Sequence, residues 1–128
     1  MASANRLETH LKFLKDPNWE QYSKSKTSIM RTRVSDNGFI CLKSTAYIDG
    51  NMEDLLECIL DFQLKPRYDI TFESGKFIDI LPFESYGVYY KYRRIVFVSP
   101  RDMILFGRVH RRSPNELYLL IQSIELDS

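Results

Sequence analysis

The residues in this sequence whose types could do chemistry are few, and their spacing gives them little to work with. There are two histidines and two cysteines. His10 falls in a stretch of helical periodicity and His110 near the end of an extended run, so the two make no acid–base or metal-ligand pair. Cys41 and Cys58 belong to different expected elements and form no metal or redox spacing; small buried side chains are a simpler reading than nucleophiles. Glu53, Asp54, Glu57 and Asp61 form an acidic cluster, but at helical spacing opposite an apolar stripe they read as a solvated face. No glycine-rich phosphate loop, serine-centred elbow or paired metal signature occurs. The expectation is a protein that is not an enzyme, with no cofactor and no metal.

The sequence is rich in rings, with eight Tyr, eight Phe and one Trp, concentrated in the second half in alternating stretches. Tyr86, Val88, Tyr90 and Tyr92 alternate along one expected strand. Met103, Leu105 and Val109 do so along the next, and Leu119 and Ile121 continue the series. Alternate side chains of a strand project to one face. Such a wall either lines a cavity or fills a packed core, and alternation alone leaves both open.

These side chains need elements to position them. Asn5 and Glu8 make a capping box for a helix with Leu7, Leu11 and Leu14 on one face, ending at Asp16-Pro17 because proline disfavours helix in the residue before it. Trp19 and Tyr22 precede a strand over 27–34. The turn Ser35-Asp36-Asn37-Gly38 links it to a strand over 39–48, with Ile40, Leu42, Ser44, Ala46 and Ile48 on one face. Asn51 caps a second helix whose stripe is Met52, Leu55, Leu56, Ile59 and Leu60, fading by 62–66. Extended runs follow at 68–73, 76–82, 86–98, 102–111 and 117–125, separated by turns at Ser74-Gly75, Ser99-Pro100 and Ser113-Pro114-Asn115. Strand runs interrupted by a helix, without strict βαβ alternation, predict an α+β fold.

A length of 128 residues predicts a single domain. Eighteen basic against seventeen acidic residues leave a formal charge of +1, which gives no reason to expect nucleic acid. The first fifteen residues carry charges throughout and lack the apolar core of a signal peptide. Nothing approaches the roughly 18 apolar residues of a membrane span. With two isolated thiols, the composition predicts a soluble protein of a reducing compartment, cytoplasmic in location.

An ordered set of segments resembles the START (StAR-related lipid-transfer) domain family. Ser99-Pro100-Arg101-Asp102-Met103-Ile104, running into Arg108-Val109-His110-Arg111, is similar to a family stretch in which an Arg-Asp pair opens a long strand ending in basic residues. Leu117-Tyr118-Leu119-Leu120-Ile121-Gln122-Ser123-Ile124 looks like the strand that follows. Arg67-Tyr68-Asp69 stands where the family has a Trp-Asp pair after its second helix, and Trp19 where members begin their first strand. The resemblance covers nearly the whole chain. It implies a helix-grip fold, a curved antiparallel sheet with N-terminal helices. The family's final strands and C-terminal lid helix have no counterpart before Ser128, so an exposed C-terminal edge is expected, open to a homodimer or a strand swap.

The resemblance also implies a function, the binding or transfer of one lipid in a hydrophobic cavity, with transient contact at membrane surfaces. The wall residues above would line the cavity. In phosphatidylcholine-binding relatives an Arg four residues before the Asp of the Trp-Asp pair holds the phosphate; that spacing falls on Lys65, with Asp69 as the matching acid and Arg67 adjacent. In sterol-binding relatives a buried Arg lies six residues after the Arg of the Arg-Asp pair, a position held here by Gly107, with Arg108 directed to the other face. Phospholipid is therefore expected over sterol. Arg101 and Asp102 are read as pairing with each other or with turn backbone. Lys91, Arg93, Arg94, Arg108, Arg111 and Arg112 are read as a charged outer face. The alternative function is a protein-interaction module on the same scaffold with no ligand cavity.

Overall fold

Leu7 and Leu11, one helical turn apart, are both buried on helix α1 (Ala2–Lys15), which stops just before Pro17. The computed structural model describes residues 2–94 and 99–124, and side chains from Arg6 onward. Helix α1 begins at Ala2, so Asn5 lies within it and does not cap it; the Asn5 side chain is outside the described residues. Chain contacts divide the molecule into two units, Met1–Asp49 and Gly50–Ser128.

In the first unit, strands β1 (Glu20–Lys24), β2 (Ser28–Val34) and β3 (Ile40–Ala46) form an antiparallel sheet in that order. Strand β1 follows Trp19, where the START resemblance placed the start of a first strand; the residue pattern alone did not predict it. Two cations join the end of α1 to one face of this sheet. Arg33 pairs with Asp16 at 3.2 Å and stands 4.7 Å from the Phe13 ring. Lys43 donates to the Leu14 carbonyl at 2.7 Å and lies 4.9 Å from the Trp19 ring. The register sets Thr32 opposite Leu42 and Val34 opposite Ile40 on the other face. There, Val34, Ile40 and Leu42 are exposed and, with Tyr22, line an open groove of about 650 Å³.

In the second unit, the Asn51 side chain accepts the Asp54 N–H at 2.8 Å and caps α2 (Met52–Leu60), as expected. A single 3-10 turn (Lys65–Arg67) leads into β4 (Phe72–Leu81), β5 (Ser85–Tyr92), β6 (Arg101–Ser113) and β7 (Glu116–Ile124), an antiparallel meander in sequence order. Ser74-Gly75 is not a turn. Strand β4 runs through it, with register shifts at 72/74 and 77/79. The rest of the run expected over 86–98 ends at Tyr92 as strand; its last residues, and Glu125, lie outside the described residues.

The register puts the expected wall on one face. Val88 faces Leu105 and Phe77, Tyr90 faces Met103 and Gly75, and Tyr92 faces Phe72 and Arg101. Tyr86 faces Gly107, which in turn faces Ile121, while Val109 faces Leu119. Phe72, Val88, Tyr90 and Leu105 form the buried cluster, with Phe62, Tyr86, Tyr92 and Met103 packed against it. The cysteines are not the buried side chains expected: Cys58 is exposed, and Cys41 is half-buried on the α1-facing side of β3 beside Lys43.

Candidate functional site

The site is built where α2 and its exit meet the inner face of the β4–β7 sheet. Ile59 and Leu60 of α2, then Phe62, face Tyr86, Val88 and Tyr90 of β5, Gly107 of β6, and Leu119 and Ile121 of β7. Of the wall residues named from the sequence, Tyr86, Val88, Tyr90, Leu119 and Ile121 therefore surround one apolar recess. Tyr92, Met103 and Leu105 belong instead to the packed cluster around Phe72, and Val109 is buried further along β6. The recess holds about 20 Å³, close to the space one water needs. Rings fill it. Phe62 lies 4.7 Å from Phe77 and meets Tyr90 edge-on at 5.3 Å, and Tyr90 meets Phe72 edge-on at 5.2 Å. Burial, with Tyr92 and Tyr68 close by, pushes the Tyr90 phenol up to about 12, so it remains a neutral donor at any ordinary pH.

Tyr90 also borders a cationic corner. The Lys65 ammonium lies 5.3 Å from the Phe72 ring, 5.4 Å from the Tyr68 ring and 5.4 Å from the Tyr90 ring. The Asp69 carboxylate lies 4.0 Å from it. Asp69 is itself fixed by Thr71, which donates from its hydroxyl at 2.6 Å and from its N–H at 3.1 Å. The Thr71 hydroxyl, ahead of the other influences on it, holds the Asp69 carboxyl below its usual value. A cation among three ring faces is stabilised without being fully neutralised, so it keeps attraction for an anion. Lys65 and Asp69 were named from the START resemblance. The part played by Tyr68 and Phe72 was not legible in the sequence, because it depends on how the 3-10 turn packs against β4 and β5. Arg67, the third residue named for this corner, is exposed.

The remaining charged residues find partners elsewhere. Asp102 accepts the hydroxyl of Tyr89, on the neighbouring strand, at 2.9 Å, a partner outside the expected choice of Arg101 or turn backbone. Lys91 pairs with Glu73 at 3.5 Å, and Arg93 donates to the Phe72 carbonyl at 3.1 Å. Arg111 bridges Glu84 and Glu53, so the acidic face of α2 is partly engaged and not simply solvated. His10 is exposed. The His110 Nε2 is buried without a hydrogen-bond partner, and burial, with Arg108 adding to it, pushes its pKa down. Among the described residues, no group of three or more His, Cys, Asp or Glu could hold a metal ion, and no helix is long and apolar enough to cross a membrane.

Solved structures share this fold. The chain superposes on human StAR-related lipid transfer protein 5 with a TM-score of 0.83, at 16% sequence identity over 98% of this chain and 62% of that one. The fold is the START fold. A StAR-related lipid transfer protein from Xanthomonas axonopodis matches with a TM-score of 0.73, at 8% identity over 83% of this chain and 60% of that one. The human StarD13 (DLC2) lipid transfer and protein localization domain matches at 0.72, with 16% identity over 97% and 63%. The chain thus spans less than two thirds of each of these three structures. No protein-family model and no curated protein matches the sequence. In START terms the recess lies between the second helix and the later strands of the sheet, and the cationic corner sits at the helix exit.

Proposed function

We propose that this chain is a non-catalytic lipid-binding module that holds one lipid against the inner face of the β4–β7 sheet, with phospholipid favoured over sterol. The observation that carries the reading is the apolar recess bordered by one caged cation. Such an arrangement suits an amphiphile, whose chains take the apolar wall and whose anionic head group takes Lys65. Each methylene moved from water contributes about 0.8 kcal/mol. A bilayer offers nearly the same amount, so a carrier needs only to match the membrane and lets head-group contacts choose the cargo. Gly107 supports the preference against sterol, since it has no side chain to meet a sterol hydroxyl at that wall position.

One observation favours a second reading. A drug-sized ligand occupies roughly 300 Å³ or more, whereas the recess holds about 20 Å³. A lipid-holding form must therefore move the rings around Phe62 and Tyr90 apart. A protein-interaction module on the same scaffold would have no need to. Native mass spectrometry separates the two, first on protein purified from a lipid-containing lysate and then after incubation with phosphatidylcholine vesicles. A discrete lipid adduct is expected. Lipid-free protein in both cases would overturn the carrier reading in favour of the interaction module.

A further inference from the structure

The loop between β4 and β5 sets two side-chain-bearing residues in left-handed backbone, Phe83 at φ 61° and Glu84 at φ 52°. That region favours glycine and asparagine, and a bulky residue there is an outlier. Glu84 has an internal reason to be held so. Its carboxylate accepts from Arg111 Nε at 2.8 Å and Nη2 at 2.9 Å, and its carbonyl accepts from the Val109 N–H at 3.0 Å. Arg111 also binds Glu53 of α2, so the loop is clamped to both strand and helix. Phe83 gains little from the interior. Its side chain is 80% exposed, with the Arg108 guanidinium 5.9 Å from its ring. Ile78, Ile80 and Leu81 leading up to it are exposed as well. Ile80-Leu81-Pro82-Phe83 is thus an uncharged apolar run at the tip of a rigid hairpin. A strained conformation kept in place by its surroundings points to use at that spot.

We infer that this hairpin tip is a membrane-docking wedge, with Phe83, Leu81 and Ile80 entering the interfacial layer of a phospholipid bilayer and Arg108 meeting the lipid phosphates. Three features favour a lipid surface over a protein partner. The tip is a few residues wide, well short of the roughly 800 Å² per partner in a stable protein interface. A cation stacked on the ring at its tip matches the layering of acyl chain below phosphate. The clamp through Arg111 fixes the loop beforehand, so docking needs little further ordering. The inference does not rest on the recess: docking is read from vesicle association and lipid holding from adducts, so either can fail alone.

The test is Phe83→Asn, which removes the ring and suits the left-handed backbone, leaving thermal stability equal or higher. In flotation with equimolar phosphatidylcholine–phosphatidylserine vesicles, its affinity is expected to fall at least about tenfold, the partition value of one large apolar side chain. Arg108→Gln is expected to weaken association more on these vesicles than on phosphatidylcholine alone. A folded Phe83→Asn protein that floats like the parent overturns the inference. So does a parent protein that does not float, or a Phe83→Asn change that dissolves a homodimer and leaves vesicle binding intact. Should Phe83→Asn unfold the chain, Phe83→Trp serves. The emission it adds to that of Trp19 is expected to shift blue on vesicles and to be quenched by brominated acyl chains; unmoved emission overturns the inference equally.

Discussion

Asp69 receives two hydrogen bonds from Thr71, the shorter at 2.6 Å, while the Lys65 ammonium stands 4.0 Å away. The hydroxyl is therefore the stronger hold on the carboxylate, and the lysine keeps part of its charge for another anion. Thr71→Val keeps the shape and removes the donor, which should cost about 1 kcal/mol near neutral pH. A carboxyl whose folded pKa is depressed adds stability above its unfolded pKa, and that stability is lost as pH falls through the folded value. The gap between parent and Thr71→Val should then be full near neutrality and shrink in acid below the usual carboxylate range. Urea denaturation at the two pH values measures it. A gap that persists undiminished in acid would assign the Thr71 effect to packing and leave Asp69 without this support.

At the scale of elements, Gly75 decides how closely β4 approaches the rest of the wall. A Cβ there would come within 2.8 Å of the Phe72 ring, 3.1 Å of Tyr90 and 3.2 Å of Phe62. Phe72 is fully buried and has nowhere to move. Gly75→Ala should destabilise the second unit by about 1–3 kcal/mol, as overpacking does, and a thermal melt reads it; an unchanged melt would mean that the aromatic wall is looser than its distances imply. The same residue marks a limit of the sequence reading. Ser74-Gly75 has the composition of a turn, but the glycine serves close packing inside a strand, and only the register with Tyr90 reveals that. Strand β1 shows the opposite case, since Glu20–Lys24 is exposed along its whole length and carries no apolar alternation; only the START resemblance, at Trp19, pointed to a strand there. Where local chemistry decides, as in the Ser35–Gly38 turn, the Asn51 cap and the alternation of β5, the sequence was sufficient. The candidate site was half legible in the same way. The wall residues are a local pattern and Lys65 and Asp69 came from the START resemblance, while the ring cage and the filling of the recess arise from side chains brought together across elements.

Over the whole molecule, each unit leaves apolar side chains uncovered. Val34, Ile40 and Leu42 are exposed in the first, and Ile78, Ile80 and Phe83 in the second. Surfaces of this kind mark contact with a ligand, membrane or partner, yet the recess beneath α2 is nearly full. Phe62 is the ring at the helix exit that closes the recess over the sheet, packing on Phe77 of β4 and Tyr90 of β5 at once. Phe62→Leu should open space there at a cost of about 1 kcal/mol, small beside the roughly 5–15 kcal/mol that holds a domain together. The two proposed functions then diverge. In a carrier the parent must displace this ring to load, so the variant should carry more phospholipid adduct by native mass spectrometry despite its lower melting temperature. In an interaction scaffold the change only removes packing, and adducts stay absent while stability falls. Increased loading together with reduced stability would identify the filled recess as the closed state of a lipid site, because the cavity that a Phe-to-Leu change leaves in a rigid core is far too small for a phospholipid.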